Sequence, residues 1–285
     1  MLKQRIITAL VLLAILLPAL FYPSPVPFCA LALVLMAAAG WEWGRLNGCS
    51  NRNARYVALA CVLLCAASWA SGLLVRPLPL VWSAGGALWV LLGGLLLRRG
   101  VAGWPGATRS LRLTGGVLAL WLAWLAVAQA RVMGINFLLS VLLLVWMADV
   151  SAYFAGRAFG LRFSKRKLAP SISPGKSWEG VWGGMLGVLV LAVAWVLADR
   201  AAAPLDLSLY SRLAARGWWL VVVGVVFLAA MSVVGDLVES LVKRSAGAKD
   251  SSQLLPGHGG VLDRVDALLP TLPLAMMLVT AVSFG

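Results

Sequence analysis

The sequence predicts an all-α, polytopic integral membrane protein of about nine transmembrane helices, its N-terminus cytoplasmic and its C-terminus on the opposite side. Three observations predict it. Of the 285 residues, 62% are hydrophobic, and the mean hydropathy is +0.93. Charged residues make up only 12%, about half the share of a soluble globular domain, so polar surface could not cover the apolar excess. Lastly, basic residues alternate in density between successive apolar runs, as membrane topology requires. A soluble enzyme, a disordered chain and a fibrous protein are excluded.

A bilayer-spanning helix takes about 20 mostly apolar residues. Nine runs qualify: roughly 6–22, 26–41, 56–75, 78–97, 113–130, 133–156, 178–198, 218–242 and 267–284. The first follows Lys3 and Arg5 as a signal peptide would. It lacks a small-residue cleavage site and runs straight into the next span, so it reads as a helix. Pro23, Pro25 and Pro27 make a tight connection to the short second run. Cys29, Cys49, Cys61 and Cys65 lack metal-ligand spacing and read as small buried hydrophobes rather than a disulfide framework. No internal repeat is visible, so an inverted-repeat transporter lacks its usual pointer.

The net charge of +14 would suggest nucleic acid on a soluble protein. On a membrane protein topology explains it, and no nucleic-acid partner is expected. With the N-terminus inside, 19 of the 24 bases fall on the inside. They are Lys3 and Arg5; Arg45, Arg52 and Arg55; Arg98, Arg99, Arg109 and Arg112; Arg157, Arg162, Lys165, Arg166, Lys167 and Lys176; and Lys243, Arg244, Lys249 and Arg264. Only Arg76, Arg131, Arg200, Arg212 and Arg216 fall outside.

The acids divide differently. Seven of the ten (Asp149, Glu179, Asp236, Glu239, Asp250, Asp263 and Asp266) lie at inside helix ends or inside loops, whereas the first 148 residues hold only Glu42. This separates a hydrophobic N-terminal region, 1–148, from a C-terminal region, 149–285, a candidate catalytic region whose charges gather at the face expected to be cytoplasmic.

In the eighth span, Ser232, Asp236, Glu239, Ser240 and Lys243 recur at three- and four-residue steps, on one helical face. Glu239 and Lys243 are spaced for an i,i+4 ion pair. Asp236 has only Ser240 at i+4, and an acid at that depth is costly unless a partner, an ion or water meets it; it needs a cation from elsewhere. Downstream, Pro256, Gly257, Gly259 and Gly260 allow unusual dihedrals and close approach to a ligand. Asp263 and Asp266 follow at i,i+3. Together with Asp236 they suit a hard cation such as magnesium bridging phosphates; the alternative is a metal-free cluster with Arg244 and Arg264. His258, the sole histidine, fits a positioning or phosphate-contact role better than that of a base, because phosphodiester attackers are already ionised.

A third stretch runs from Asp149 and Tyr153 to Ser173, Pro174, Gly175, Lys176, Ser177, Trp178 and Glu179. Its basic loop, Arg162 to Lys167, also fits a contact with anionic lipid headgroups. Ser177 can cap the next helix, although the S/T-x-x-E box is not met. Gly175-Lys176-Ser177 imitates the end of a P-loop but fails as one: the earlier glycine is Pro170, and no strand is expected before it.

The run S-L-V-K-R-S-A-G-A-K-D-S-S-Q-L-L-P-G-H-G-G-V-L-D-R-V-D, Ser240 to Asp266, resembles the signature of the phosphatidate cytidylyltransferase (CDP-diacylglycerol synthase) family. GDLVES upstream and SPGKSWEG match further family blocks, so the resemblance covers roughly 149–270; Gly175 departs from it, where related enzymes often carry a base. The resemblance implies CTP + phosphatidic acid → CDP-diacylglycerol + pyrophosphate, a step of phospholipid biosynthesis, in a bacterial cytoplasmic membrane with the site facing the cytoplasm. It implies magnesium, leaves a second cation open, and suggests a homodimer. It assigns the metal to Asp236, Asp263 and Asp266, with Asp250 nearby, and phosphate neutralisation to Lys243, Arg244, Lys249 and Arg264. Asp149, Tyr153, Ser173, Lys176, Ser177, Trp178, Glu179, Ser240, Gly259 and Gly260 become substrate-binding candidates, and His258 joins the catalytic set. On this basis Asp263→Asn should abolish turnover and leave stability near wild type.

Rival readings are a CTP-dependent lipid kinase, a cytidylyltransferase acting on another lipid phosphate and, in a different class, an ion or phosphate transporter. A transporter predicts acids spread through the bilayer depth and a repeat; here they gather at one face.

Overall fold

The computed structural model describes residues 2–284 and the side chains from 4 to 282, so Lys3 lies outside the described side chains. Eleven helices follow in order: α1 (Leu2–Phe21), α2 (Val26–Leu46), α3 (Asn51–Ala70), α4 (Pro79–Gly103), α5 (Arg109–Met133), α6 (Ile135–Phe159), α7 (Trp178–Ala202), α8 (Leu209–Ala214), α9 (Trp218–Ser245), α10 (Leu262–Val265) and α11 (Leu268–Phe284). Between α6 and α7 lies an antiparallel hairpin of β1 (Lys167–Ala169) and β2 (Ser173–Ser177). Nine helices among the described residues are long and apolar enough to cross a membrane, the last spanning α10 and α11. The expected all-α membrane architecture is therefore present, and the four cysteines are free and buried.

The boundaries differ where polar residues begin a helix. The third span starts at Asn51, five residues earlier than expected, because Ser50 accepts the amide of Asn53 at 3.3 Å. Such a cap satisfies orphan N–H groups and lets a polar first turn be helical. Ser177 caps α7 in the same way, accepting from Gly180 N at 3.2 Å. The hairpin corrects a second expectation. A strand does precede Gly175-Lys176-Ser177, and these residues lie in β2, not in a phosphate-binding loop.

Small residues set the tightest helix pairs. On α7, Gly180, Gly183, Gly184 and Gly187 face Ala148, Ser151, Ala152 and Ala155 of α6. Gly40 and Gly44 of α2 meet Ala54, Ala58 and Cys61 of α3 likewise. In lipid, where the solvent is as apolar as leucine, such close van der Waals approach is a main source of helix association. A Cβ at Gly184 would sit 2.9 Å from the carbonyl of Ala148. Gly184→Leu is expected to cost about 1–3 kcal/mol of stability through overpacking, read as a lower unfolding temperature in detergent.

The core lies where α5, α6, α9 and α11 meet, with Trp124, Phe137, Val141, Leu144, Leu228 and Leu274 fully or almost fully buried. By contrast α1 and α4 present an apolar outer belt, with Leu10 60% and Leu91 69% exposed. Such a belt marks a membrane contact rather than a soluble surface.

Polar contacts tie each end of the bundle. At one end, Arg131 donates to the carbonyls of Leu20 (3.0 Å) and Tyr22 (2.5 Å), and Gln129 donates to Leu73 and Arg76, closing the C-termini of α1 and α3. There too Asp199 accepts from Asn136, Ser208 and Ser211. At the other end, Arg109 reaches Gly48 O, Thr8 reaches Pro256 O, and Glu42 reaches Ser251. Each contact joins segments that the charge count places on the same side.

Candidate active site at one end of the bundle

The last turns of α9 carry Asp236, Glu239, Ser240 and Lys243 inward. Gly235 makes room for them: a Cβ there would stand 2.5 Å from Asp266 O and 2.8 Å from Pro270. Without it, the start of α11 closes on α9 and brings Asp266 into the electrostatic range of Asp236.

Lys243 sits between two carboxylates, 2.6 Å from Glu239 Oε2 and 2.6 Å from Asp263 Oδ1. The i,i+4 pair is as the spacing predicts; the second partner comes from 20 residues downstream. Asp263 Oδ2 also accepts from Ser251 N (2.9 Å), Ser251 Oγ (2.8 Å) and Gly260 N (2.8 Å). Asp236 pairs with Lys176 of β2 and accepts from Ser240 Oγ at 3.2 Å. The cation that Asp236 requires thus arrives 60 residues from upstream. The alternative cluster with Arg244 and Arg264 does not form: among the described residues the ion pairs use Lys176 and Lys243, while Arg244 donates to the carbonyls of Ile172 and Ala248. The guanidinium at the exposed end of α9 is thus taken up by loop carbonyls, one in the hairpin turn and one just past the helix.

The glycine-rich loop folds back on itself. Leu255 N donates to Gly259 O and His258 N to Leu255 O, both at 2.8 Å. This turn holds Gly257 at φ +77 and Gly259 at φ +84, where a side chain is strained. What the glycines approach is protein: a Cβ at Gly259 would meet Asp263 Oδ2 at 2.9 Å, and one at Gly260 would overlap Ser251 and Glu42. His258 Nδ1 is buried without a hydrogen-bond partner among the described residues.

Beside this cluster a cleft of about 470 Å³ opens between α6, α7, α9 and β2. Asp149, Tyr153, Arg157, Lys176, Ser177 and Asp236 give it polar groups. Ala148, Val181, Gly184, Met185, Ala229 and Val233 give it an apolar wall. Asp149 accepts no hydrogen bond among the described residues; the charges acting on it are Asp236, Lys176 and Arg264.

Other candidates fall around the site. Ser173 opens β2, and Trp178, 42% exposed, starts α7 outside the cleft lining. Glu179 turns toward the loop after α6, accepting from the amides of Leu161, Phe163 and Ser164 and from the Ser164 hydroxyl. Lys249, Asp250 and Arg264 are exposed. Ser251, Ser252 and Glu42 belong to this end of the bundle and are not among the candidates from sequence, where Arg157 counts only as one of the bases gathered around the acids. Only Glu42 left a signal there, as the sole acid in the first 148 residues.

Whether the carboxylates suit a divalent cation turns on their free oxygens. Asp266 commits Oδ1 to Ala267 N at 2.7 Å, and among the described residues no donor meets its Oδ2. Asp236 lines the cleft, held by one ammonium and one hydroxyl. No three His, Cys, Asp or Glu side chains among the described residues stand close enough to hold an ion by themselves. The donor set therefore fits a cation taking one or two carboxylates, with phosphate oxygens and water completing its shell, as magnesium does.

A family model described as the cytidylyltransferase family matches residues 3–282. Full-length relatives bear the name phosphatidate cytidylyltransferase. The one from Pseudomonas aeruginosa is 40% identical, covering 100% of this chain and 99% of its own. That from Haemophilus influenzae is 38% identical over 96% of each chain. That from Brucella abortus is 35% identical over 94% of this chain and 89% of its own.

Proposed function

The chain belongs to the cytidylyltransferase family, and from that premise we propose that it is a phosphatidate cytidylyltransferase: it transfers CMP from CTP to phosphatidic acid, giving CDP-diacylglycerol and pyrophosphate in phospholipid biosynthesis. The observation that carries this reading to particular residues is the cleft, which joins charged groups to an apolar wall at one end of a membrane-embedded bundle. A lipid phosphate with acyl chains needs both.

The chemistry is an in-line displacement. An ionised phosphate oxygen of phosphatidic acid attacks the α-phosphorus of CTP, and the bond to the β-phosphate breaks as pyrophosphate leaves. No base is needed; catalysis rests on positioning and on stabilising developing charge. Lys176, paired with Asp236 across the cleft, can exchange that carboxylate for a phosphate oxygen. Arg157, on the same cleft, and the exposed Arg264 and Lys249 supply further positive charge toward the triphosphate. Lys243 points an ammonium from the α9 end, oriented by Glu239 and Asp263. Asp149, without a donor of its own, orients groups deeper in the cleft.

Asp236 and Asp266 would hold magnesium, which when bound supplies charge neutralisation and Lewis acidity at the phosphates. Asp263, which the resemblance also assigns to the ion, has both oxygens engaged by Lys243, Ser251 and Gly260, and its work in this proposal is to orient Lys243. On this reading the site faces the cytoplasm, because its residues belong to the segments that the charge count assigns to the inside together with 19 of the 24 bases. In bacteria this places the protein in the inner membrane, with the outer faces of α1 and α4 against lipid.

The test is purified protein in detergent with radiolabelled CTP and phosphatidic acid. Lipid-soluble label and pyrophosphate should form together, stop on chelation with EDTA, and resume when magnesium is restored in excess. Absence of both products from folded protein with magnesium present would sink the proposal; activity undiminished by EDTA would sink its metal component.

A further inference from the structure

The glycine-rich loop is anchored by a residue of the second helix. Glu42 lies near the end of α2, is 0% exposed, and has no cation beside it among the described residues. Its carboxylate is instead met by three donors from one remote segment, Ser252 Oγ at 2.5 Å, Leu262 N at 2.6 Å and Val261 N at 2.9 Å, while Ser251 Oγ stands 3.2 Å away and shares its one proton with Asp263 at 2.8 Å. A buried carboxylate is tolerated only when its charge is answered by hydrogen bonds or a counter-ion, and bonds to an ionised acceptor are the stronger kind. These contacts hold both ends of the glycine-rich loop.

The same loop groups reach Asp263. Ser251 Oγ stands 2.8 Å from Asp263 Oδ2, Ser251 N 2.9 Å, and Gly260 N, the amide before Val261, 2.8 Å. Asp263 in turn holds Lys243 at 2.6 Å. A continuous chain of contacts thus runs from Glu42 through Ser251 and the 260–262 backbone to Asp263 and Lys243. Gly260 permits it, since any Cβ there would overlap both Ser251 and Glu42.

We infer that Glu42 is a positioning residue for the transferase reaction: it sets the place of Asp263 and Lys243 through Ser251 and the 260–262 backbone, without touching substrate. The inference rests on the transferase reading above. Glutamine at this position keeps the length, but each carboxylate oxygen of Glu42 receives one backbone amide, Val261 N or Leu262 N, so whichever oxygen becomes N–H₂ leaves one of these amides without its acceptor.

The full-length protein in detergent, assayed with CTP and phosphatidic acid, tests this. Glu42→Gln should lower kcat roughly 10²-fold, as misplacement by about 1 Å does, with both KM values within about threefold of wild type. Ser251→Ala should lower kcat similarly, and the double variant should fall little further, because coupled groups are non-additive. If Glu42→Gln does not fold, Ser252→Ala, which removes one donor and keeps the carboxylate, should still lower kcat several-fold at unchanged KM. A kcat within twofold of wild type in folded Glu42→Gln would overturn the inference. So would losses that multiply in the double variant, or, where Glu42→Gln does not fold, a fully active Ser252→Ala. Wild-type turnover in the same preparation separates failure here from failure of the transferase reading.

Discussion

Asp236→Asn is expected to reduce CMP transfer by roughly 10³-fold or more while leaving the unfolding temperature near that of wild type. The loss follows from where the carboxylate stands. Asp236 lines the cleft, faces Lys176 across it, and comes within electrostatic range of Asp266. Removing its charge takes away an oxygen ligand that a bound cation would need, and a transition state that depends on aligned charges loses several kcal/mol when one is lost. Stability follows different arithmetic. The side chains of Lys176 and Asp236 are 27% and 29% exposed, so water still screens the pair, which contributes on the order of 1 kcal/mol or less. Asparagine also keeps an acceptor for Ser240. Turnover is measured by lipid-soluble label and stability by thermal unfolding in the same detergent. A variant retaining a tenth of wild-type turnover would remove Asp236 from the site.

Asp263→Asn, the variant that the sequence favours for this purpose, is a poorer test once its surroundings are known. Its side chain is 5% exposed and meets an ammonium, two amides and a hydroxyl. Its amide would turn a donor toward one of these groups, so stability and turnover should fall together.

What was legible in the sequence is what depends on local order. Spans come from runs of apolar residues, and nine such runs become nine membrane-length helices. The Glu239–Lys243 pair follows from helical spacing, and the isolation of Asp236 follows from the absence of any base at i+4. The cation that ends this isolation could not be read. Lys176 reaches Asp236 through a hairpin of three and five residues, too short and too polar to register as strands in a hydrophobicity pattern. Glu42 was visible as a solitary acid, but its partner Ser252 lies 210 positions away. Capping hides in the same way: one serine hydroxyl moved the start of α3 by five residues, because hydropathy weighs side chains and not orphan amides.

Lys243→Met should destabilise the protein by about 3–5 kcal/mol, the usual cost of removing one partner from a buried ion pair. Lys243 is 11% exposed, and its partners Glu239 and Asp263 are 2% and 5% exposed at the side chain. Methionine keeps the stem and removes only the charge, leaving two acids without their cation. They are not equally stranded. Asp263 keeps Ser251 N, Ser251 Oγ and Gly260 N, whereas Glu239 accepts no hydrogen bond from any other described residue. Most of the penalty therefore belongs to Glu239, and the double variant Lys243→Met/Glu239→Gln should recover more than half of the lost stability. Glu239→Gln alone should change stability little, because Lys243 still holds Asp263. Turnover should behave differently: the double variant regains its fold but stays roughly 10²-fold below wild type, since no charge replaces the ammonium that stabilises developing phosphate charge. Thermal unfolding and turnover measured on the four proteins decide it. A double variant no more stable than Lys243→Met would show that Glu239 is not the source of the strain. One that regained turnover along with stability would confine Lys243 to the fold and leave the phosphates to Lys176, Arg157 and the bases of the loop.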